Sequence, residues 1–113
     1  MKEAALRRKI MKKLQETEGG WWTHPHGSMY SQAGVPDILG CLKGCFIAFE
    51  VKRPDGGDAT LLQKKTLERI TTEGGISAVI RSFEEAKEIL DLHRDAINAA
   101  GDVLRNSTSG WEG

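Results

Sequence analysis

The chain has 113 residues, with sixteen basic and sixteen acidic side chains and a formal net charge of zero. That length builds one core rather than two, and the balanced charge argues against a general nucleic-acid binder. No run is long and apolar enough to span a membrane, and the charged N-terminus does not read as a signal peptide. The two cysteines then point to a reducing compartment, the cytoplasm.

The charge is unevenly spread. Residues 1–65 hold 11 Lys/Arg against 7 Asp/Glu, and residues 66–113 hold 5 against 9. The basic half is compatible with a basic face around an acidic site, and equally with a solvated helix face.

Residues 2–18 read as an amphipathic helix, because Leu6, Ile10 and Leu14 recur at helical spacing among basic residues. Glu3 falls on the same face as Leu6 and Leu14. It is either a carboxylate aimed at a site or a first-turn acid favoured by the helix dipole. Gly19-Gly20 ends the helix. Trp21 to His24 reads as a short strand, and Pro25 through Ala33 as a loop. His24 and His26 are candidate ligands or DNA contacts, or simply satisfied histidines.

Residues 34–53 organise the rest. Two β-prone apolar runs flank Lys43-Gly44, a plausible two-residue hairpin turn. With Leu42 facing Cys45, the register sets Cys41 opposite Phe46, Leu39 opposite Ala48 and Asp37 opposite Glu50. Facing residues have Cβ atoms roughly 4.5–5.5 Å apart. Two carboxylates that close repel unless a cation lies between them. Side chains alternate along a strand, so Lys52 shares the face of Glu50.

Pro54 to Asp58 is a turn. A helix follows from about Thr60 to Glu73, opened by a capping box of Thr60 and Gln63. Gln63 shares a face with Leu67 and Ile70 and so points inward. Gly74-Gly75 stops that helix, and Ile76 to Ile80 reads as a buried strand. Ser82 with Glu85 reads as a second capping box. It opens a helix with Phe83, Ala86, Leu90, His93 and Ile97 on one face. Gly101 marks a break, and Asn106 to Gly113 is a polar tail. The order predicts an α/β domain with a mixed central sheet, its last strand parallel to a hairpin strand.

Asp37 and Glu50 suit a hard cation such as Mg²⁺ or Mn²⁺, with the Val51 backbone carbonyl as a further oxygen. Such a cation polarises a phosphoryl oxygen and lowers the pKa of bound water. Lys52 would stabilise charge on the phosphate or orient the attacking water. Glu3 and Gln63 would reach the site from two helices, Glu3 through water. Each part also has a plainer explanation: a solvated strand face for Glu50 and Lys52, a turn for Asp37, a cap for Gln63. Four polar groups converging from four elements nevertheless make a poor core and a reasonable site. Zinc fits worse, because the same register sends Cys41 and Cys45 to opposite faces.

Pro36-Asp37 followed by Glu50-Val51-Lys52 resembles the PD-(D/E)xK nuclease motif. The fuller pattern is similar to the virus-type replication-repair nuclease (VRR-NUC) family. The matching pieces are Glu3, Gly34-Val35-Pro36-Asp37, Phe49 to Pro54, Thr60 to Gln63 and Gly74-Gly75. The resemblance covers about residues 1–92 of a single domain and leaves 93–113 as a helix end and tail. It implies an αβββαβ restriction-endonuclease-like core and Mg²⁺- or Mn²⁺-dependent hydrolysis of DNA phosphodiesters, with no small-molecule cofactor. It carries metal ligation to Asp37 and Glu50, catalysis to Lys52, and a site role to Gln63 and Glu3. Stand-alone members of this size look like phage or bacterial proteins, homodimers that cut branched DNA such as four-way (Holliday) junctions. The rival readings are a non-catalytic DNA-binding module that keeps the fold, and a protein-interaction domain.

Overall fold

The computed structural model describes residues 2–25 and 33–106; the expectations for His26, most of the loop before Ala33, and the tail from residue 107 fall outside them. Eight elements follow in order: α1 (Glu3–Glu18), β1 (Trp21–Thr23), β2 (Ile38–Leu42), β3 (Cys45–Val51), α2 (Leu61–Thr72), β4 (Ile76–Ile80), α3 (Phe83–Leu92) and α4 (Arg94–Asn106). The first six give the expected αβββαβ order. The strands form one sheet in the order β1-β2-β3-β4, antiparallel except for the β3–β4 pair.

The hairpin has the anticipated register. Leu42 faces Cys45, Cys41 faces Phe46, and Leu39 faces Ala48. Lys43 and Gly44 both take positive φ, 50° and 88°, the signature of a type I′ turn whose twist matches the strands. A lysine is an unusual occupant, and α4 supports it there. Lys43 Nζ donates to Asn98 Oδ1 at 3.1 Å, and its aliphatic stem lies over Gly101.

That contact corrects the expected break at Gly101. The break falls at His93, and α4 continues through Gly101, which is buried. A Cβ there would stand 3.0 Å from Lys43 Cβ, so the glycine serves close packing rather than termination. The second capping box is also only half formed. Ser82 Oγ accepts from Glu85 N–H at 3.1 Å, but the Glu85 carboxylate accepts from Arg81 N–H at 3.2 Å, one residue before the cap.

One sheet face carries Trp22, Ile38, Leu42, Ile47 and Phe49, and Ile10, Leu14, Ala86, Leu90 and Ile97 from the helices complete the same core. The opposite face is only half covered. α2 crosses over β3 and β4, where Ser77 Oγ donates to the Leu67 carbonyl at 2.7 Å. On the β1–β2 side no described element covers that face, and Trp21, Cys41 and Phe46 stand on it in one cross-strand row.

Gly40 sets the depth of the covered face. The Trp22 ring lies directly on it, stacked at 7° and 6.4 Å from Phe49, with its indole N–H donating to the Gly19 carbonyl at 2.6 Å. A Cβ on Gly40 would fall 2.3 Å from a Trp22 ring carbon. Gly40→Ala should therefore lower stability by about 1–3 kcal/mol, the usual cost of overpacking. Urea unfolding checks this: the midpoint should fall with an unchanged slope.

Candidate active site

Asp37 lies one step beyond the last β2–β3 pair, Ile38 with Phe49, so it continues the ladder opposite Glu50. Pro36 before it is buried and disposes the segment to extended geometry. Two bonds fix Asp37. Its Oδ2 accepts from Val51 N–H at 2.9 Å, and its backbone carbonyl sits 2.6 Å from His24 Nδ1. The second contact makes His24 a donor at Nδ1 and a brace for the Asp37 backbone. The sequence offered His24 as a ligand or a satisfied histidine. The structure gives it a backbone partner, and the only advance signal was its position at the end of β1.

Among the described residues Glu50, 2% exposed, is the one charged residue in the buried set, and its Oε2 has no hydrogen-bond partner there. Burial pushes its carboxyl from an ordinary 4.5 up to about 8. The hydrogen bond to Asp37, the Asp37 charge and the more distant Glu3 charge push the same way, and only Lys52 opposes them. Without a cation Glu50 therefore keeps its proton below about pH 8, because a poorly hydrated carboxyl beside another acid resists ionising.

Lys52 follows β3 directly, and its backbone N–H continues the ladder to the Ile80 carbonyl at 3.0 Å. Its side chain is half-buried and acts on Glu50 through space, with no ion pair among the described residues. Arg81 steadies the segment after it, donating to the carbonyls of Arg53 at 2.6 Å and Gly57 at 3.0 Å.

Asp37, Glu50 and Lys52 thus come together as expected. Glu3 stands further off: its charge reaches Glu50, but no group of three His, Cys, Asp or Glu side chains suited to a metal forms among the described residues. Gln63 is occupied locally. Its Oε1 accepts from Thr60 N–H at 2.8 Å and its backbone N–H donates to Thr60 Oγ1 at 3.2 Å, a complete capping box. Among the described residues it makes no bond to the acids, and its carboxamide NH₂ has no partner.

The residues fit a hard divalent cation. The unpartnered Glu50 Oε2 is an acceptor facing no donor, Asp37 supplies a second carboxylate, and hard cations commonly take only one or two protein carboxylates. Asp37, Glu50 and the Val51 carbonyl would hold it.

No family model matches the sequence, and no curated protein matches it. Among solved structures the chain is similar to one described as a VRR_NUC domain, with a TM-score of 0.64. The match covers 80% of this chain and 97% of that one, at 24% identity. The chain has the VRR_NUC fold. In it the acids sit at the C-terminal end of β3, beside the uncovered half of the sheet.

The Glu50 proton gives a pH dependence of definite sign. In metal-free protein the folded state keeps it between pH 4.5 and about 8, while the unfolded state loses it. Stability should therefore fall as pH rises across that window and level off above it. Glu50→Gln should remove this component and melt several degrees above wild type at pH 8. Cation binding must release the same proton, so Mn²⁺ affinity should rise from pH 6 to 8 by up to about tenfold per unit. Thermal melts and calorimetric titrations read both effects; a pH-independent Mn²⁺ affinity would contradict the assignment.

Proposed function

We propose that this chain is a metal-dependent nuclease of the VRR-NUC family that hydrolyses phosphodiester bonds in DNA. The observation that carries the reading is Glu50, a buried carboxyl with an unpartnered oxygen, held against Asp37 with Lys52 beside it. An isolated ionised carboxylate is expensive to bury. A sheet-end acid pair beside an open face is an arrangement a structural core would not need.

Bound Mg²⁺ or Mn²⁺ supplies phosphoryl polarisation and an activated water. The chain's own groups do the rest. The Val51 N–H on Oδ2 fixes the rotation of the Asp37 carboxylate, and His24 fixes its backbone. Glu50 would hold the cation as a carboxylate, its proton passing to solvent. The Lys52 ammonium donates to a non-bridging phosphate oxygen, where negative charge grows as the bond breaks, or holds the attacking water. The free NH₂ of Gln63, at the start of α2, is a second donor toward the phosphate. Glu3 acts at longer range, through water. The open half of the sheet receives the strand.

Branched DNA, including four-way junctions, is the substrate class this reading favours, cut by a homodimer whose two-fold symmetry pairs the cuts. A cytoplasmic setting in bacteria or phage-infected cells agrees with it.

Asp37→Ala, Glu50→Ala and Lys52→Ala should each abolish cleavage with Mg²⁺ or Mn²⁺ while far-ultraviolet circular dichroism stays native. For Lys52→Ala the loss should be at least about 10²–10³-fold, the effect of removing one charge-stabilising donor. The assay compares linear duplex, flap and four-way junction, with oligomeric state read by sedimentation. Full activity in any well-folded variant would sink the mechanism, and binding without cleavage across both metals would leave a DNA-binding module.

A further inference from the structure

A groove runs along α2 on the open side of the sheet. α2 joins the parallel strands β3 and β4, so it runs back against them, its first turn near Glu50 and its last near Phe46. Two cavities share Thr66 and Arg69 on its flank. One, of about 550 Å³, lies beside Val35, Leu62 and Lys65. The other, of about 430 Å³, is walled by Phe46 and Ile70, with Glu73 at its far end.

Three features distinguish this groove from an ordinary crevice. Its rim carries Lys65 and Arg69, neither in an ion pair among the described residues, whereas Lys64 on the same helix is taken by Asp58. Its wall presents a ring: Phe46 is 46% exposed, and Trp21, two strands away in the same row, is 63% exposed. It also leads to the acids, because Phe46 and Glu50 point to the same face of β3, four residues or about 13 Å apart.

Unpaired cations along a groove walled by an exposed ring suit a single strand, its phosphates on the cations and a base on the ring. A duplex buries its bases and would leave Phe46 and Trp21 in water. We infer that the groove between α2 and the open sheet binds an unpaired segment of the DNA, with one unstacked base lodged on Phe46 beneath Arg69. The inference rests on the nuclease reading for the identity of the nucleic acid and narrows branched DNA to members with unpaired nucleotides a short way from the cleaved bond, which sets fully paired four-way junctions below forks and flaps. Arg69 and Thr66 meet the base at its edge or the adjoining phosphate. Glu73 closes the far end and is an acceptor for an exocyclic amino group.

The test is binding without divalent ion, so that cleavage plays no part. Fluorescence anisotropy compares a labelled fork with unpaired arms, the same fork with an abasic site in the arm, and a fully paired duplex. Wild type should prefer the intact fork to both. Phe46→Ala should weaken fork binding about 5- to 150-fold, the range for losing one base–aromatic stack, and leave duplex binding unchanged. Phe46→Trp should retain the preference. Arg69→Ala should lower the salt slope for the fork by about 0.7, as for one phosphate contact on a single strand. Equal affinity of wild type for fork and duplex would overturn the inference, as would native fork binding by Phe46→Ala. Conversion of a dimer to a monomer by Phe46→Ala or Arg69→Ala would give this face to a second copy of the chain instead. A fork preference without cleavage when Mn²⁺ is added would leave the groove intact and refute the nuclease; cleavage without a preference would do the reverse.

Discussion

The hairpin register governs everything else at the site. A strand has a side-chain period of two, so a slip of one residue would turn Glu50 into the apolar core and Phe49 out of it. The protein prevents this at both ends of β2–β3. At the tip, Lys43 and Gly44 take the positive φ values of a tight turn. At the other end, Asp37 Oδ2 takes the Val51 N–H. In between, Ile38, Leu42, Ile47 and Phe49 are buried on one face, and their burial, about 1.5–3 kcal/mol for each large side chain, penalises any other pairing. Asp37 therefore faces Glu50 because the apolar residues decide it. Asp37 adds its bond to the Val51 N–H, but the meeting of the two carboxyls does not itself set the register.

The acid pair is thus strain imposed by the rest of the fold. A carboxyl that holds its proton to about pH 8 is a group that burial has pushed far from its solution behaviour. The proton relieves the strain in the absence of a cation, and a divalent ion would relieve it further by offering charge to both acids. Stability set aside at a site and recovered on ligand binding is the pattern expected where function, not folding, selects the residues.

Most of this was legible in the sequence, for a definite reason. The turn dipeptide and the apolar alternation are local signals, and together they determine a register without any long-range information. Gly19-Gly20 and Gly74-Gly75 also read correctly, because each follows a complete amphipathic helix. Gly101 was misread, since a glycine inside a helix looks the same whether it ends the helix or admits a neighbour. Only the approach of Lys43, fifty-odd positions earlier, tells the two apart. His24 was read as a candidate ligand or a satisfied histidine, and the second holds; its partner is a backbone carbonyl, which leaves no mark in the sequence. Glu85 bonded one residue earlier than its spacing suggested, a difference of backbone geometry within one turn.

The last helix ties these threads together. α4 lies beyond the six elements that make the αβββαβ core, yet it touches the hairpin at its most constrained point. Leu104 lies against Gly44, where an added Cβ would clash; Asn98 takes the Lys43 ammonium; and Gly101 admits the lysine stem. A lysine at positive φ is strained, and the strain persists only where surrounding contacts over-determine it. α4 supplies those contacts, and α4 is itself anchored to α1 through Arg94 Nη1 and Glu18 Oε1 at 2.6 Å. The turn, the register and the placement of Asp37 against Glu50 therefore rest in part on a helix some distance from the acids. The site is held at its open end by Val51 and His24, and at its closed end by α4.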